Sequence, residues 1–181
     1  GLVAALRLAR AGVEVAVLEA EPRPVEELRG STFHPPTLDM LDEFGLVGAM
    51  IAQGLVTPTW QVRMHETGER AEFDLSILAG HTSHPYRLQC EQWKLSRLLL
   101  ENLQSVQFGS RVVGVSQDAG SVHVAVERAG ERSILAADYL VGADGARSTV
   151  RKAIGLEFQG ETFPETTLLA TTEFEFRGHG R

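Results

Sequence analysis

An alanine-rich stretch, ended by a single glycine and followed at once by a β-branched run, constrains this chain more than any other feature. Leu2-Val3-Ala4-Ala5-Leu6-Arg7-Leu8-Ala9-Arg10-Ala11 reads as a helix rich in the strongest helix former. Gly12 stands where a left-handed residue stops a helix. Val13 to Glu19 then reads as a buried strand. A helix packed through small residues such as Ala5 and Ala9, followed by a buried strand, is the second half of a βαβ unit. The first strand of that unit would lie before Gly1. The chain opens without a methionine, directly in the helical pattern, and closes just after a strand-like stretch, so both ends read as cuts within a longer protein.

Composition narrows the classes. The 181 residues suit one domain, or one domain and part of another, and 43% hydrophobic residues supply a real core. Seventeen basic against 24 acidic residues give a net charge of −7, which leaves no general footprint for nucleic acid. The single cysteine, Cys90, forbids an internal disulfide and points to a reducing, cytoplasmic setting. No apolar run is long enough to span a bilayer, and no signal peptide is visible.

Residues 20–34 read as a loop punctuated by Pro22, Pro24 and Gly30. Pro35-Pro36 opens a helix whose apolar face is Leu38, Leu41 and Phe44, and a short helix follows from Leu46 to Ile51. Residues 60–76 alternate in polarity about a turn at Thr67-Gly68-Glu69, which predicts a hairpin with one wet face. Glu91 to Leu103 is a helix by its leucine spacing. Strands are expected at 106–108, 111–117 and 122–126, a buried strand at Tyr139 to Gly142, a helix from about Ser148 to Ile154, and an extended segment over 167–177.

The stretch from Tyr139 to Leu156 asks for a function. An apolar strand runs into Ala143-Asp144-Gly145, and Arg147, Ser148 and Arg151 follow on the start of a helix. A loop at the carboxyl edge of a parallel sheet is where α/β proteins bind ligands. A carboxylate there accepts hydrogen bonds from ribose hydroxyls, and arginines face phosphates. At the other end of the chain, Gly1 fits the last glycine of a dinucleotide fingerprint. Glu19 stands eighteen residues later at the end of the second strand, where a ribose carboxylate belongs. On the residues alone, an Asp-Gly turn with a capped helix, and a solvated Glu, fit equally well.

The longer string "DYLVGADGARSTVRKAIGL" resembles the DG motif of the FAD-dependent monooxygenases of the aromatic-hydroxylase class, typified by p-hydroxybenzoate hydroxylase and phenol hydroxylase. Other segments resemble family motifs in the family's order: "GLVAALRLARAGVEVAVLEAE", "RGSTFHPPTLDMLDEFGL" and "QCEQWKLSRLLLENL". The resemblance implies an α/β, Rossmann-like FAD-binding fold with a parallel sheet and inserted antiparallel pieces. It assigns 1–57 and 86–160 to the FAD-binding domain, and 58–85 and 161–181 to the beginnings of a substrate-binding β-sheet domain. It also implies roles for particular residues. Gly1 is the third fingerprint glycine, Glu19 binds the adenosine ribose, and Arg29 lies near the pyrophosphate. Gln92 contacts the flavin side, Gln89 being the less well placed alternative. Asp144 and Gly145 hold FAD and shape the approach of NAD(P)H. Arg147, with Arg151, serves the pyridine nucleotide's phosphates or stabilises the loop.

The implied reaction is hydroxylation of an aromatic, phenolic substrate with NAD(P)H and O₂, through a flavin C4a-hydroperoxide. The protein's part is to orient the ring and exclude water, and no catalytic residue is assigned. The alternatives are a related FAD oxidoreductase (a halogenase, a ubiquinone-pathway or a polyketide-tailoring oxygenase) or a non-catalytic remnant. Two departures stand out: Leu95-Ser96 where the family often has Leu-Glu, and Pro36 where an arginine is frequent. The family's second flavin motif, a Gly-Asp pair, is expected beyond residue 181. The six histidines show no metal-ligand spacing, His81 to His84 reads as a surface loop, and Cys90 as a quiet structural thiol.

Overall fold

The computed structural model describes residues 1–166, 168 and 172–174. Its first helix, α1 (Leu2–Arg10), ends as its sequence dictates. Gly12 adopts φ +80°, its N–H donates to Ala9 O (3.0 Å), and the Val13 N–H donates to Leu8 O (3.1 Å). These two bonds are a Schellman closure, which only a residue without Cβ adopts at little cost. The chain then runs extended into β1 (Val17–Leu18), which pairs in parallel with β7 (Val106–Gln107). The expected seven-residue strand thus contracts to a two-residue ladder. Bonds from Val17 N to Ser105 O (2.9 Å) and Glu19 N to Gln107 O (3.0 Å) extend the pairing on either side. Ala5 is buried as expected, but Ala9 is exposed.

Three more helices close the core: α2 (Pro35–Asp42), α3 (Val47–Ile51) and α4 (Gln92–Glu101). Between them runs a three-stranded antiparallel sheet in the order β2 (Thr32–Phe33), β6 (Arg87–Gln89), β3 (Leu55–Thr57). Leu38, Leu41, Met50 and Leu88 are wholly buried and meet Leu6 of α1 and Leu95 and Leu99 of α4 in one cluster. Each such side chain contributes about 1.5–3 kcal/mol of burial. This cluster fixes α1 against α4, and hence the placement of both helix N-termini.

Two antiparallel units stand outside it. β4 (Thr59–Arg63) and β5 (Arg70–Asp74) form the expected hairpin. β8 (Arg111–Gln117), β9 (Val122–Arg128) and β10 (Glu131–Ala137) form a meander, with Val124 and Val126 buried beneath it and α5 (Thr149–Ala153) packed on β8. The sequence reading did not include β10, which is exposed along its whole length and so has no alternation of polarity to betray it. Its signal is the turn: Ala129 and Gly130 both take positive φ (51° and 84°), the geometry of a two-residue type I′ hairpin loop.

One expectation is overturned. Residues 139–142 form no ladder with any described strand, and Tyr139 and Val141 are 89% and 63% exposed. An apolar run makes a strand only where a neighbouring backbone accepts its hydrogen bonds, and none of the described strands pairs with it. The extended segment expected over 167–177 falls mostly outside the described residues, and 172–174 belong to no strand.

Candidate functional site

The residues singled out from sequence come together as two pairs. The first is the N-terminus of α1 with the loop before α5. Gly1 is the N-cap of α1, with no side-chain cap and no acidic residue in the first turn. The first-turn N–H groups are therefore unclaimed by side chains, and the helix dipole leaves them attractive to an anion. A Cβ placed on Gly1 would sit 3.5 Å from the Cβ of Ala143, so Ala143 lies against this helix end. Glu19 is half-buried. Its Oε1 accepts the Glu21 N–H (2.9 Å), and its carbonyl accepts the Ser110 N–H (2.8 Å).

The second pair is the loop at Arg29 with the start of α4. The Gln92 N–H donates to Gly30 O (2.8 Å), and the Cys90 N–H to Ser31 O (2.8 Å). The Gln92 side chain reaches the same loop: a Cβ on Gly30 would lie 3.8 Å from Gln92 Oε1. Arg29 is exposed and, among the described residues, its side chain is held only by Glu27 (3.0 Å), a surface pair of little strength. Gln89 is committed elsewhere, its Oε1 accepting from Thr32 Oγ1 (2.8 Å). No hydrogen bond among the described residues joins the two pairs.

Asp144 is the most fully used of these side chains. Its carboxylate accepts from Ser148 Oγ, from the Thr149 N–H (2.6 Å) and from the Val150 N–H (3.2 Å). Ser148 in turn caps α5 by accepting the Arg151 N–H (2.9 Å), and its own N–H donates to Gly145 O (3.1 Å). All the N–H groups that a helix start leaves without partners are thus satisfied inside the motif. Burial pushes the Asp144 pKa up, but bonds from Ser148, Val150, its own backbone and Thr149 outweigh this and hold it below the ordinary 3.8. Gly145 takes φ +77°, which lets the loop turn sharply into the helix. Arg151 braces the motif through Nη1 to Ala146 O (2.8 Å) and lies over the Phe158 ring. Arg147 is exposed and has no ion-pair or hydrogen-bond partner among the described residues.

The sequence reading missed one polar cluster. His84, expected on a surface loop, is 7% exposed. Its Nδ1 lies 2.7 Å from Asp39 Oδ1 and its Nε2 4.0 Å from Asp42 Oδ2. Thr82 Oγ1 donates to Asp39 Oδ2 (2.6 Å). Bonds from Thr82 and then His84 hold the Asp39 carboxyl below its ordinary pKa despite some burial. The spacing of Asp39 and Asp42 on one helix face was the available signal, but their partners arrive from a loop more than forty residues away. Cys90 is 2% exposed, and burial pushes its thiol pKa up, which suits a structural cysteine. No group of three or more metal-binding side chains occurs among the described residues, and none of the helices is long and apolar enough to cross a membrane.

Residues 1–177 match the family model described as the FAD binding domain. The chain is similar to the 6-hydroxy-3-succinoylpyridine 3-monooxygenase of Pseudomonas putida, with 38% identity covering 97% of this chain and 46% of that protein. It is similar to the para-nitrophenol 4-monooxygenase of a Pseudomonas species, with 37% identity covering 99% of this chain and 46% of that protein. The crystal structure of p-nitrophenol 4-monooxygenase from Pseudomonas putida superposes with a TM-score of 0.84 at 34% identity, covering 90% of this chain and 42% of that one. The chain spans about half the length of the curated relatives it matches. With a family match over nearly its whole length, the chain belongs to the FAD binding domain family.

Proposed function

We propose that the full-length protein is an FAD-dependent monooxygenase that uses NAD(P)H and O₂ to hydroxylate an aromatic, phenolic substrate. The observation that carries this is the fold likeness, at 34% identity, to a p-nitrophenol 4-monooxygenase, together with the motif residues falling in matching order.

The residues present fit FAD. The uncapped start of α1 offers N–H groups and a positive dipole end to a pyrophosphate, and Gly1 leaves the backbone there bare. Glu19 keeps one carboxylate oxygen for ribose hydroxyls, since only Oε1 is used by Glu21. Among the described residues Arg29 is tied only by an exposed ion pair, which a phosphate would replace with a charge-assisted bond. Gln92 projects at the head of α4 beside Gly30 and can hydrogen-bond the flavin side. Asp144 acts on the cofactor through the loop: its oxygens hold α5, and that steadies the loop whose Ala143 lies against the start of α1. Arg147 is the cation left for a pyridine nucleotide phosphate. Bound FAD supplies electron transfer from NAD(P)H and the activation of O₂.

In this reading 1–57 and 86–160 form the cofactor domain, and 58–85 and 161–181 begin the substrate-binding sheet. The single cysteine, buried and reduced, suits a cytoplasmic enzyme. The test is the visible spectrum of the purified full-length protein, then its bleaching by NAD(P)H with a panel of phenols. A bound flavin whose reduction is accelerated by one phenol, with a hydroxylated product, is the expected result. A colourless protein that takes up no FAD would overturn the proposal.

A further inference from the structure

Asp39 lies outside every residue tied to the cofactor, yet three consecutive residues of a distant loop converge on its carboxylate. Thr82 Oγ1 donates to Oδ2 (2.6 Å), the Ser83 N–H donates to the same carboxylate, and His84 Nδ1 lies 2.7 Å from Oδ1. An ionised carboxylate only accepts, so Nδ1 carries the proton of that bond. The His84 N–H ties the loop to itself through Thr82 Oγ1 (3.0 Å), and the Tyr86 N–H donates to His84 O (2.7 Å). The His84 ring is buried, with the Tyr86 ring edge-on at 5.8 Å and Asp42 Oδ2 4.0 Å from its Nε2. A buried polar ring is tolerated where such partners meet it.

The two sides of this junction differ in character. Asp39 stands on α2, whose Leu38 and Leu41 are wholly buried, so the anchor moves only if the core moves. Residues 79–86 belong to no helix or strand, so no ladder holds their backbone. They form a strap. It carries the chain from the β4–β5 hairpin and the 3₁₀ turn Leu75–Leu78 back to β6, which pairs with β2 and leads into α4 at Gln92. The hairpin leaves the core at Pro58, directly after β3, and the Leu75 N–H donates to Pro58 O (2.9 Å) at its base. The return path from hairpin to core is therefore fastened by side chains meeting one carboxylate.

We propose that Asp39 latches the 79–86 strap to α2, and that this latch holds the β4–β5 hairpin in place relative to the core that carries Arg29 and Gln92. Asp39 and His84 are positioning residues. As a conformational device, the latch stands on the contacts of Asp39 alone. Its consequence for catalysis rests on the hydroxylase reading, in which the hairpin begins the substrate-binding sheet.

The test is amide hydrogen exchange of the full-length protein, read over 81–86, over the hairpin at 59–74, and over α4 as the core reference. Asp39→Ala removes all three acceptor bonds. Exchange over 81–86 should rise about 10-fold or more, the worth of bonds to a charged acceptor discounted for its partial exposure. The hairpin should lose protection to a smaller extent, and α4 none. His84→Leu should do part of this, and His84→Asn, whose side-chain N–H can stand where Nδ1 stands, should restore protection. If Asp39→Ala does not fold, Asp39→Asn and His84→Leu decide the matter. Unchanged exchange over 81–86 overturns the latch, and so does an equal loss in α4, which would make the network an ordinary part of the core. A rise confined to 81–86 overturns its hold on the hairpin. In the same variants, the share of NAD(P)H oxidation that ends in hydroxylated product should fall and peroxide should rise, with flavin content unchanged. A protein without flavin that shows the exchange pattern loses the hydroxylase and keeps the latch. A flavoprotein whose strap opens while its product yield per NAD(P)H stays at the wild-type value loses the catalytic consequence alone.

Discussion

Replacing Asp144 by alanine should melt the DG loop before it touches anything else. The carboxylate accepts two backbone N–H groups at the start of α5 and the hydroxyl of Ser148, which itself caps a third. Loss of a helix cap costs about 0.5–2 kcal/mol. Bonds to a charged acceptor are stronger, but Asp144 is exposed and water replaces part of what is lost, so about 1.5–2 kcal/mol is a fair total. For a chain of this size each kcal/mol moves Tm by about 2–4 °C, so the melt should fall by about 3–8 °C at pH 7. Asp144→Asn, which keeps one acceptor oxygen, should lose less. The pH dependence has a definite sign. The folded-state pKa lies below the ordinary 3.8, so the stabilisation is present above that value and disappears as pH falls through the folded one. The gap between wild type and Asp144→Ala should therefore close in strong acid. Thermal denaturation followed by circular dichroism reads the whole chain, and amide exchange over 149–153 reads the helix. Unchanged melting and unchanged protection of α5 at pH 7 would refute the capping argument. Intact stability with lost flavin binding would mean that the carboxylate meets the cofactor itself.

Two smaller perturbations test other parts. Ala129 sits at φ +51° before Gly130, a conformation that costs a residue with Cβ about 1–2 kcal/mol, so Ala129→Asn should stabilise the meander and raise Tm by a few degrees; a fall would contradict the type I′ turn. Asp118, between β8 and β9, accepts the Gly120 N–H (2.8 Å), the Ser121 N–H (2.9 Å) and His123 Nε2 (3.0 Å), and these bonds bring its pKa down to about 2; a carboxyl titration by NMR that finds an ordinary value would remove that turn network.

Local chemistry explains which elements could be read in advance. The end of α1 at Gly12, the start of α2 at Pro35, the hairpin about Gly68 and the leucine face of α4 all follow from neighbours within a turn or two of chain. Gly1, Glu19, Arg29, Gln92 and the Asp144-Gly145 pair were singled out because the strings around them resemble family motifs, and only Gly1, Glu19 and the Asp-Gly loop also had a reading from spacing and position. Where the sequence misled, distant backbone decided. Tyr139 to Gly142 has a strand's composition but no described ladder partner, and Glu131–Ala137 is a strand because β9 holds it, not because of its pattern.

The side chains show the same division. The residue types in the DG string do not reveal that Asp144 spends its oxygens on α5, nor that Arg151 braces Ala146 while Arg147 stays open. His84 looked solvated until Asp39 and Asp42 arrived from α2. The sequence by itself determined many of the helix and turn boundaries and the α/β class, because propensity, capping and motif spacing are local. The tertiary structure alone decided which loops touch, which carboxylates are already spent and which arginines have no hydrogen-bond or ion-pair partner among the described residues. Those depend on contacts between residues far apart in the chain, and only the shared core brings them together.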